Sequence, residues 1–432
     1  MEIYIVQKGD TINSISDKYG ITFDKLIQDN GLKFPYNLVI GQSIVIAIPK
    51  QVHTIQEGET LQNIAETYNV SLMQILRNNP FLSDWEYIYP GETIVISYNT
   101  NGSVITNGFA YPYIEQKTLL KTLPDLTYIS ILNYQVSEED GTVSSEDDSE
   151  ILMKSKEYGA IPLLVLTTLT PIGAPTLEAS MRTLLDKEFQ DQLISQYVET
   201  AYSKGYYGIN VIFSFLNEET QFLYLDFVKN ISYHAKQMKL LLFISVNYQI
   251  AEDNNNILFE KVNYEEFSKY IDEFIFLSFV WGTNNGPPAP VCNLHYIGIF
   301  VDYLISIDVP KSKISIGKPT IGYDWKLPYI PNVTIANSLT LFSALDLAYE
   351  YSYKISFDEV SQTPYFYYNS NLSKTVRDEH FVWFLDSRSF NSLDNLIIDE
   401  NLNSSAIWNI MIYYPQLWIV IYSQYDIIKL MK

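Results

Sequence analysis

The first hundred residues carry the same pattern of apolar and polar positions twice. Each copy, at residues 3–48 and 52–97, begins with a short alternating strand, continues through two amphipathic helices and ends in an apolar strand. Apolar residues at helical spacing predict the helices, and a threonine precedes the first helix of each copy as an N-cap. The aligned positions are Gly9 with Gly58, Asp10 with Glu59, Thr11 with Thr60 and Asn30 with Asn79. The pattern predicts two small βααβ modules, residues 1–49 and 50–98.

From residue 103 onward, short apolar runs alternate with amphipathic helical stretches. The first seven runs are residues 104–109, 126–132, 161–166, 209–215, 240–246, 274–279 and 313–317. Residues 381–384 and 405–410 compete for the eighth place. This alternation predicts the α/β class and a (β/α)8 TIM barrel over residues 103–432, with a small α+β insertion at about 330–380. A doubly wound sheet is the alternative, but no glycine-rich phosphate loop follows an early strand.

Composition and charge narrow the functions that the chain can have. The 28 basic and 50 acidic residues give a formal net charge of −22, which disfavours binding to nucleic acid phosphates. The single cysteine, Cys292, cannot form an internal disulfide, and the four histidines show no metal-ligand spacing. No apolar run approaches the roughly 20 residues that cross a bilayer, and no secretory signal is evident. The sequence predicts no metal, cofactor, nucleic acid or membrane partner.

The repeated modules resemble LysM, a family of small domains that bind glycans containing N-acetylglucosamine, chiefly peptidoglycan and chitin. The resemblance rests on the Gly-Asp-Thr and Gly-Glu-Thr loops, the helix pattern, the shared asparagine and the closing strand. It implies a shallow glycan groove between the first loop and the loop after the second helix. The implied groove residues are Gly9, Asp10, Thr11, Ile12, Asn30 and Leu32 in module 1, and Gly58, Glu59, Thr60, Leu61, Asn79 and Phe81 in module 2. The alternative, that the glycines and threonines only form turns and caps, stays open for each residue.

Six phrases of the barrel segment resemble the family-18 glycoside hydrolases, and within them a spore-associated group that joins LysM modules to the barrel. The phrases are residues 107–112 (NGFAYP), 126–128 (LTY), 140–142 (DGT), 322–325 (GYDW), 363–366 (TPYF) and 382–384 (VWF). The known activity of that group is N-acetylglucosaminidase action on spore-cortex peptidoglycan. Such enzymes use the sugar's own acetamide as nucleophile, as an exception to the two-carboxylate scheme. An aspartate orients the acetamide, and a glutamic acid two residues later protonates the leaving oxygen.

The strand that should carry this acid pair does not contain it. The family's fourth-strand motif, Asp-x-x-Asp-x-Asp-x-Glu, falls on residues 207–214. Asn210 matches the middle aspartate, Ile212 the orienting aspartate and Ser214 the acid. On the sixth strand, Phe279 stands where the family has a tyrosine that holds the acetamide. Neither an isoleucine nor a serine hydroxyl can supply this acid chemistry, so the sequence predicts that the catalytic positions are degenerate.

A one- or two-residue slip of the alignment does not restore the pair, because no carboxylate lies between Gly205 and Asn217. Glu218 and Glu219 are the nearest acids, and they are either solvated loop charges or a displaced catalytic acid. Several aromatic and acidic residues that the family has in its barrel cleft are also present in this sequence. They are Trp281, Tyr323, Asp324, Trp325 and Trp408.

Three interpretations follow from these observations. We expect a non-catalytic glycan-binding or scaffold protein, a family-18 pseudoenzyme whose LysM pair anchors it to peptidoglycan or chitin. The first alternative is an active N-acetylglucosaminidase on spore-cortex peptidoglycan that uses a displaced acid. The second is a structural spore protein that self-associates. The resemblance also implies a spore coat or surface location, and without it the sequence predicts a cytoplasmic protein.

Overall fold

The computed structural model describes residues 1–84, 88–136, 143–167, 177–248, 250–253, 256–277, 283–371 and 377–431. Its N-terminal part consists of two βααβ modules. Module 1 contains β1 (Glu2–Ile5), α1 (Ile12–Tyr19), α2 (Phe23–Asn30) and β2 (Ser43–Ile46). Module 2 contains β3 (Gln51–Thr54), α3 (Leu61–Tyr68), α4 (Leu72–Asn78) and β4 (Thr93–Ser97). In each module the two strands pair antiparallel.

The repeated threonine explains where the first helix of each module begins. The Thr11 hydroxyl accepts a hydrogen bond from the Ser14 amide at 3.1 Å, and the Thr60 hydroxyl accepts one from the Asn63 amide at 3.2 Å. Each bond satisfies a helix N–H that has no partner within the helix. The predicted βααβ order and both threonine caps are confirmed.

The C-terminal part is built from strands that alternate with helices. Its strands are β5 (Ser103–Ala110), β6 (Tyr128–Val136), β7 (Val143–Ser144), β8 (Ile161–Thr167), β9 (Gly208–Phe213), β10 (Leu241–Asn247), β11 (Ile250–Asp253), β12 (Asn256–Phe259), β13 (Glu273–Leu277), β14 (Ile314–Pro319), β15 (Gly322–Leu327), β16 (Asn337–Leu339), β17 (Ser356–Asp358), β18 (Thr363–Asn371), β19 (Arg377–Trp383), β20 (Ser404–Trp408) and β21 (Asp426–Ile427). Its helices are α5 (Gln116–Thr122), α6 (Ser149–Glu157), α7 (Leu177–Leu185), α8 (Lys187–Lys204), α9 (Gln221–Gln237), α10 (Tyr264–Ser268), α11 (Leu294–Ser306), α12 (Leu341–Glu350), α13 (Ser387–Asp399) and α14 (Pro415–Tyr422). Short 3-10 turns complete these connections.

Within the described residues, eight parallel strands close a barrel. Their order around it is β5, β6, β8, β9, β10, β13, β14 and β20, and β20 pairs with β5 to complete the ring. The (β/α)8 TIM barrel predicted from the sequence is confirmed. Because all eight strands run parallel, their carboxyl ends meet at one face, where such barrels place their functional loops. We refer to this face as the mouth and to the opposite end as the bottom.

The eighth barrel strand is β20, so of the two competing runs residues 405–410 correspond to it. The other expectation, that residues 381–384 form a barrel strand, is wrong. That run lies mostly in β19, which pairs antiparallel with β15 and β18. Together with β16 and β17 these strands form a five-stranded antiparallel sheet that helix α12 interrupts. We call this unit the insertion; its sheet starts at Gly322, close after the end of β14 at Pro319 and therefore earlier than the expected start at about 330.

Both N-terminal modules pack directly on the barrel. In module 2 the buried Arg77 guanidinium donates to the Ile427 carbonyl at 3.2 Å. In module 1 the Asn30 side chain accepts a hydrogen bond from Gln416 of α14 at 2.9 Å. Gly41 meets the insertion so closely that a Cβ atom there would lie 2.0 Å from the Ile355 carbonyl oxygen. Its φ of +86° also favours glycine.

Candidate active site at the barrel mouth

Strand β9 presents alternate side chains to the barrel interior. The Asn210 amide donates to the Ser130 hydroxyl at 3.1 Å and accepts from the Ser245 hydroxyl at 2.8 Å. Ile212 is 4% exposed and packs inside the barrel with Val165 and other apolar residues. Residues two apart on a strand share a face, so Ser214, which is partly exposed, continues this line towards the mouth. No carboxylate reaches the mouth from β9 itself.

A buried carboxyl group does occur inside the barrel, but at its bottom. Glu273 opens β13, and its carboxyl group accepts hydrogen bonds from Ser404 at 2.6 Å, from Asn403 at 2.5 Å and from Ser315. Burial raises the pKa of Glu273 to about 7, although these hydrogen bonds oppose the rise. Sequence reasoning missed this residue, whose signal was a single acid at the start of the apolar run 274–279. Because it lies at the end opposite the mouth, we assign it a structural role.

Two acids follow β9 on the loop that leads to α9. The Glu218 carboxylate accepts a hydrogen bond from the Lys261 amide at 3.0 Å, and the Glu218 amide donates to Glu260 at 3.1 Å. Glu218 is thus tied to the segment before α10. The Glu219 amide donates to the Asn217 side chain at 3.0 Å, and the Glu219 side chain is exposed. Both acids lie on the mouth side, because the loop follows the carboxyl end of a barrel strand.

A cavity of about 260 Å³ opens between the mouth and the insertion. Trp408 at the end of β20 and Tyr323 of β15 both line it, together with Thr320 and Asn409. Trp408 is partly exposed, and its ring centroid lies 4.9 Å from that of Phe109. The two aromatic rings and the neighbouring hydroxyl and amide groups provide stacking surfaces and hydrogen-bonding atoms on the same wall.

The insertion strand β15 separates residues that the sequence comparison grouped into one cleft. Tyr323 faces the cavity, whereas Asp324 points to the opposite face of the sheet, because neighbouring residues of a strand alternate. Asp324 is 4% exposed there and accepts hydrogen bonds from Tyr368 and His380. Trp325 is 1% exposed and donates its indole N–H to the Gly286 carbonyl at 2.9 Å. The structure therefore contradicts the placement of Asp324 and Trp325 on an open cleft floor.

Two predicted mouth residues, Phe279 and Trp281, lie outside the described residues.

The structure adds an aromatic pair that sequence reasoning missed. Tyr111 and Tyr113 follow β5, their rings stack with centroids 5.2 Å apart, and Tyr113 is 64% exposed. The available signal was the Tyr-Pro-Tyr sequence directly after a barrel strand, since exposed tyrosines at that place face the mouth.

The first loops of the two modules are held by the same kind of contact. The Asp10 carboxylate accepts hydrogen bonds from the Tyr4 hydroxyl and the Gln7 amide, both at 2.7 Å. In module 2, Glu59 makes the equivalent contacts with the His53 ring and the Gln56 amide, again at 2.7 Å. The remaining exposed or partly exposed groove positions are Gly9, Thr11, Leu32, Gly58, Thr60, Leu61 and Phe81.

Three of the predicted groove residues lie in the module cores instead. The Asn79 amide donates to the Ile75 and Val95 carbonyls and accepts from the Val95 amide, at 2.7 to 2.8 Å. Asn30 makes the corresponding bonds to Leu26 and Val45 in module 1. Ile12 is 4% exposed. The two asparagines join α2 to β2 and α4 to β4, so their repetition reflects a structural requirement rather than direct contact with a glycan.

The described part of the chain contains no group of histidine, cysteine, aspartate and glutamate side chains that could hold a metal ion. None of the helices described there combines the length and apolarity that a membrane span requires.

Comparison with known proteins adds the family context of this site. The LysM domain model matches residues 4–47 and 53–97, and the model for glycosyl hydrolases family 18 matches residues 94–411. A cortical fragment-lytic enzyme of Bacillus subtilis is 28% identical over 436 residues, which cover 99% of each chain. Crystal structures of the spore cortex-lytic enzyme SleL resemble this fold along 99% of the chain. The Bacillus cereus enzyme is 26% identical with a TM-score of 0.77, and the Bacillus megaterium enzyme is 28% identical with a TM-score of 0.78.

These relatives correct one conclusion of the sequence analysis. The expectation that the chain is a pseudoenzyme and not an enzyme is wrong, because the relatives that match its whole length are named as lytic enzymes. Ile212 and Ser214 do occupy the positions described above. The inference from these two side chains to a loss of activity was too strong, since it ranked the alternative of a displaced acid on the loop after β9 too low.

Proposed function

Because the chain belongs to glycosyl hydrolase family 18, we propose that it is a glycosidase that cleaves N-acetylglucosamine-containing glycans of the spore-cortex peptidoglycan type. The observation that carries this proposal is the match over 99% of both chains to proteins named for lysis of cortical fragments. The match includes both modules and the barrel together, so the architecture as a whole is shared with those enzymes. A spore-associated location belongs to the same proposal.

The substrate site of this proposal is the cavity beside Trp408. Its volume of about 260 Å³ is close to the lower end of the range for ligand pockets. A sugar ring can stack on the Trp408 indole while its hydroxyl and acetamide groups bond the Asn409 side chain, whose backbone the Thr320 hydroxyl holds. The Tyr111–Tyr113 pair offers a second exposed ring surface after β5 and extends the site for a polymer.

The proton donor in this proposal is Glu219. Cleavage requires an acid that gives its proton to the leaving glycosidic oxygen, while the acetamide of the substrate attacks the anomeric carbon and water later opens the intermediate. Glu218 is less suited, because one oxygen of its carboxylate accepts a hydrogen bond from the Lys261 amide, which draws the side chain towards the segment before α10. Glu219 follows it on the same loop with an exposed side chain, and its backbone is fixed by Asn217.

The LysM pair serves as the anchor in this proposal. The exposed first loops, which begin at Gly9 and Gly58, adopt φ values of +93° and +84° and expose backbone groups for sugar recognition. Phe34, in the loop after α2, is 83% exposed and offers module 1 an apolar contact. Both modules are packed on the barrel, so a bound polymer is held at a fixed distance from the mouth.

The test measures the release of reducing ends from purified cortex fragments by the full chain. We expect release by the wild type and a loss of about 2- to 10-fold for Trp408→Ala, because the mouth loses its stacking surface. The control is Tyr207→Ala, because Tyr207 is an exposed aromatic residue that precedes β9 and therefore lies away from the mouth. Trp418→Phe would not serve, because Trp418 is buried. Absence of release by the wild type, or equal rates for the wild type and Trp408→Ala, would contradict the proposal.

A further inference from the structure

The insertion contains an ordered chain of three side chains that the proposed glycosidase does not use. The Ser370 hydroxyl lies 3.2 Å from Nε2 of His380, and Nδ1 of His380 lies 3.0 Å from a carboxylate oxygen of Asp324. The second oxygen of Asp324 accepts a hydrogen bond from the Tyr368 hydroxyl at 2.8 Å. Hydroxyl, imidazole and carboxylate are therefore connected in the order that activates a serine nucleophile, with each ring nitrogen in its own contact.

The sheet explains why these side chains meet. β19 lies between β15 and β18, and His380 stands opposite Tyr368 on one side and Lys326 on the other. Asp324 and Ser370 are each two residues from these partners, so their side chains project from the same face as His380. This face is the one turned away from the cavity beside Trp408. It is covered near Tyr368, whose ring contacts that of Tyr351 directly after α12 with centroids 4.6 Å apart.

The exposed fraction of the side chain increases from Asp324 through His380 to Ser370. Catalysis needs this order, because the carboxylate must be held in place and the nucleophile must be accessible to a substrate. Asp324 is buried, the His380 side chain is 13% exposed and Ser370 is partly exposed. The Tyr368 ring stacks on the imidazole at 4.5 Å with an interplanar angle of 18°, which fixes the ring orientation. A buried, doubly hydrogen-bonded carboxylate holds the imidazole in one tautomer, and the accessible end of the chain is the nucleophile.

We propose that Ser370, His380 and Asp324 form a second catalytic site, which hydrolyses carboxylic esters with a small acyl group. The Ser370 oxygen attacks the acyl carbon while its proton passes to Nε2 of His380, and the same proton then goes to the departing alkoxide. Water hydrolyses the acyl-serine by the same two transfers, which regenerates the serine and releases the acid. The step needs no reactant besides the ester and water.

The surroundings of Ser370 favour esters over amides. Lys326 stands opposite His380 on the same face of the sheet, so in this proposal its ammonium group is the cation that stabilises the oxyanion. That cation is shared with Asp378 at 2.7 Å, which weakens its field at the acyl carbon. Esters are intrinsically more reactive than amides, so they are the substrate class that a modest oxyanion site can turn over.

The experiment treats the full-length protein with a fluorophosphonate probe and with p-nitrophenyl acetate. We expect the probe to modify Ser370, identified by peptide mass spectrometry, and the Ser370→Ala change to lower kcat/KM for the ester by at least about 100-fold. His380→Ala should lower the rate of probe labelling by a similar factor, because the general base is lost. Ser306→Ala is the matched control, since that exposed hydroxyl donates to the Tyr303 carbonyl within its own helix, α11.

A wild-type protein in which the probe leaves Ser370 unmodified, whether or not it labels another residue, would overturn the proposal, and so would ester hydrolysis that Ser370→Ala leaves unchanged. The site of labelling in the wild type decides the matter even if the Ser370→Ala protein fails to fold. The result is independent of the glycosidase proposal, because it concerns a different face of the insertion and a different substrate.

Discussion

The two ends of the barrel interior differ in polarity: a hydrogen-bonded carboxyl group lies at the bottom, and an apolar side chain lies towards the mouth. At the bottom, Glu273 is fully buried and bonded by two serines and an asparagine. Towards the mouth, where acids would meet a substrate, β9 carries the apolar Ile212 and then Ser214. We therefore assign Glu273 a structural role, and in the proposed glycosidase the groups that meet the glycan come from the loops at the rim. Interior polar changes should therefore alter stability, while rim changes should alter glycan release.

The largest expected effect on stability comes from placing a charge in the apolar layer. Ile212→Asp buries a carboxylate next to Val165 and Leu277 without a partner, so we expect a loss of about 4 kcal/mol in the free energy of unfolding. Ser214→Asp introduces the same group at the partly exposed rim, and we expect a loss below about 1 kcal/mol. Denaturant unfolding of both variants gives the two values. Equal losses would remove the distinction between interior and rim.

A smaller effect concerns the pH dependence of stability at the bottom. The folded-state pKa of Glu273, at about 7, is above that of an unfolded glutamate, so the folded protein keeps a proton that the unfolded chain loses. The contribution of Glu273 to the free energy of unfolding should fall by up to about 3 kcal/mol as the pH rises from about 4.5 to 7, and then level off. Desolvation of the carboxylate causes the rise in pKa, and Asp272 adds to it.

Glu273→Gln should show a shallower decrease than the wild type, because its side chain does not ionise in this range, whereas Asp29 and Asp125, whose pKa values burial also raises, still do. Unfolding measured at several pH values between 4.5 and 8 compares it with the wild type. Glu199→Gln, which removes an exposed acid from α8, is the control and should keep the wild-type slope. If the Glu273→Gln protein also keeps that slope, the buried acid is not its cause.

The smallest of these effects extends the comparison to the modules. Asn79→Ala leaves the amide and carbonyl of Val95 without their partner, and we expect a loss of about 2 kcal/mol. Asn63→Ala, at an exposed position of α3, should change the free energy of unfolding by less than about 0.5 kcal/mol. Binding of Asn79→Ala to peptidoglycan should persist at temperatures where the variant is folded. A loss of binding without a loss of stability would indicate that Asn79 contacts the glycan in the groove.

Periodicity was sufficient for the fold but not for the site. The repeated pattern predicted the βααβ modules, and the apolar runs predicted seven barrel strands, because burial imposes those spacings. The assignment of residues 381–384 to a barrel strand was wrong because an antiparallel strand within the insertion is as apolar as a barrel strand. The repeated asparagines were assigned to the groove, since a single sequence does not show whether an amide bonds a ligand or the backbone. The Asp324–His380–Ser370 contacts join strands that are distant in sequence, so no local pattern could indicate them.

The central claim is that a rim acid of this family-18 barrel cleaves the glycan. The most direct measurement compares kcat/KM on cortex fragments for the wild type, Glu219→Gln and the adjacent control Glu218→Gln. We predict that Glu219→Gln lowers kcat/KM by about 100-fold or more, because a general acid contributes about 10² to 10⁴ in rate. Glu218→Gln should retain most of the activity. Full activity of Glu219→Gln would contradict the assignment of the donor, and the absence of activity in the wild type would contradict the account itself.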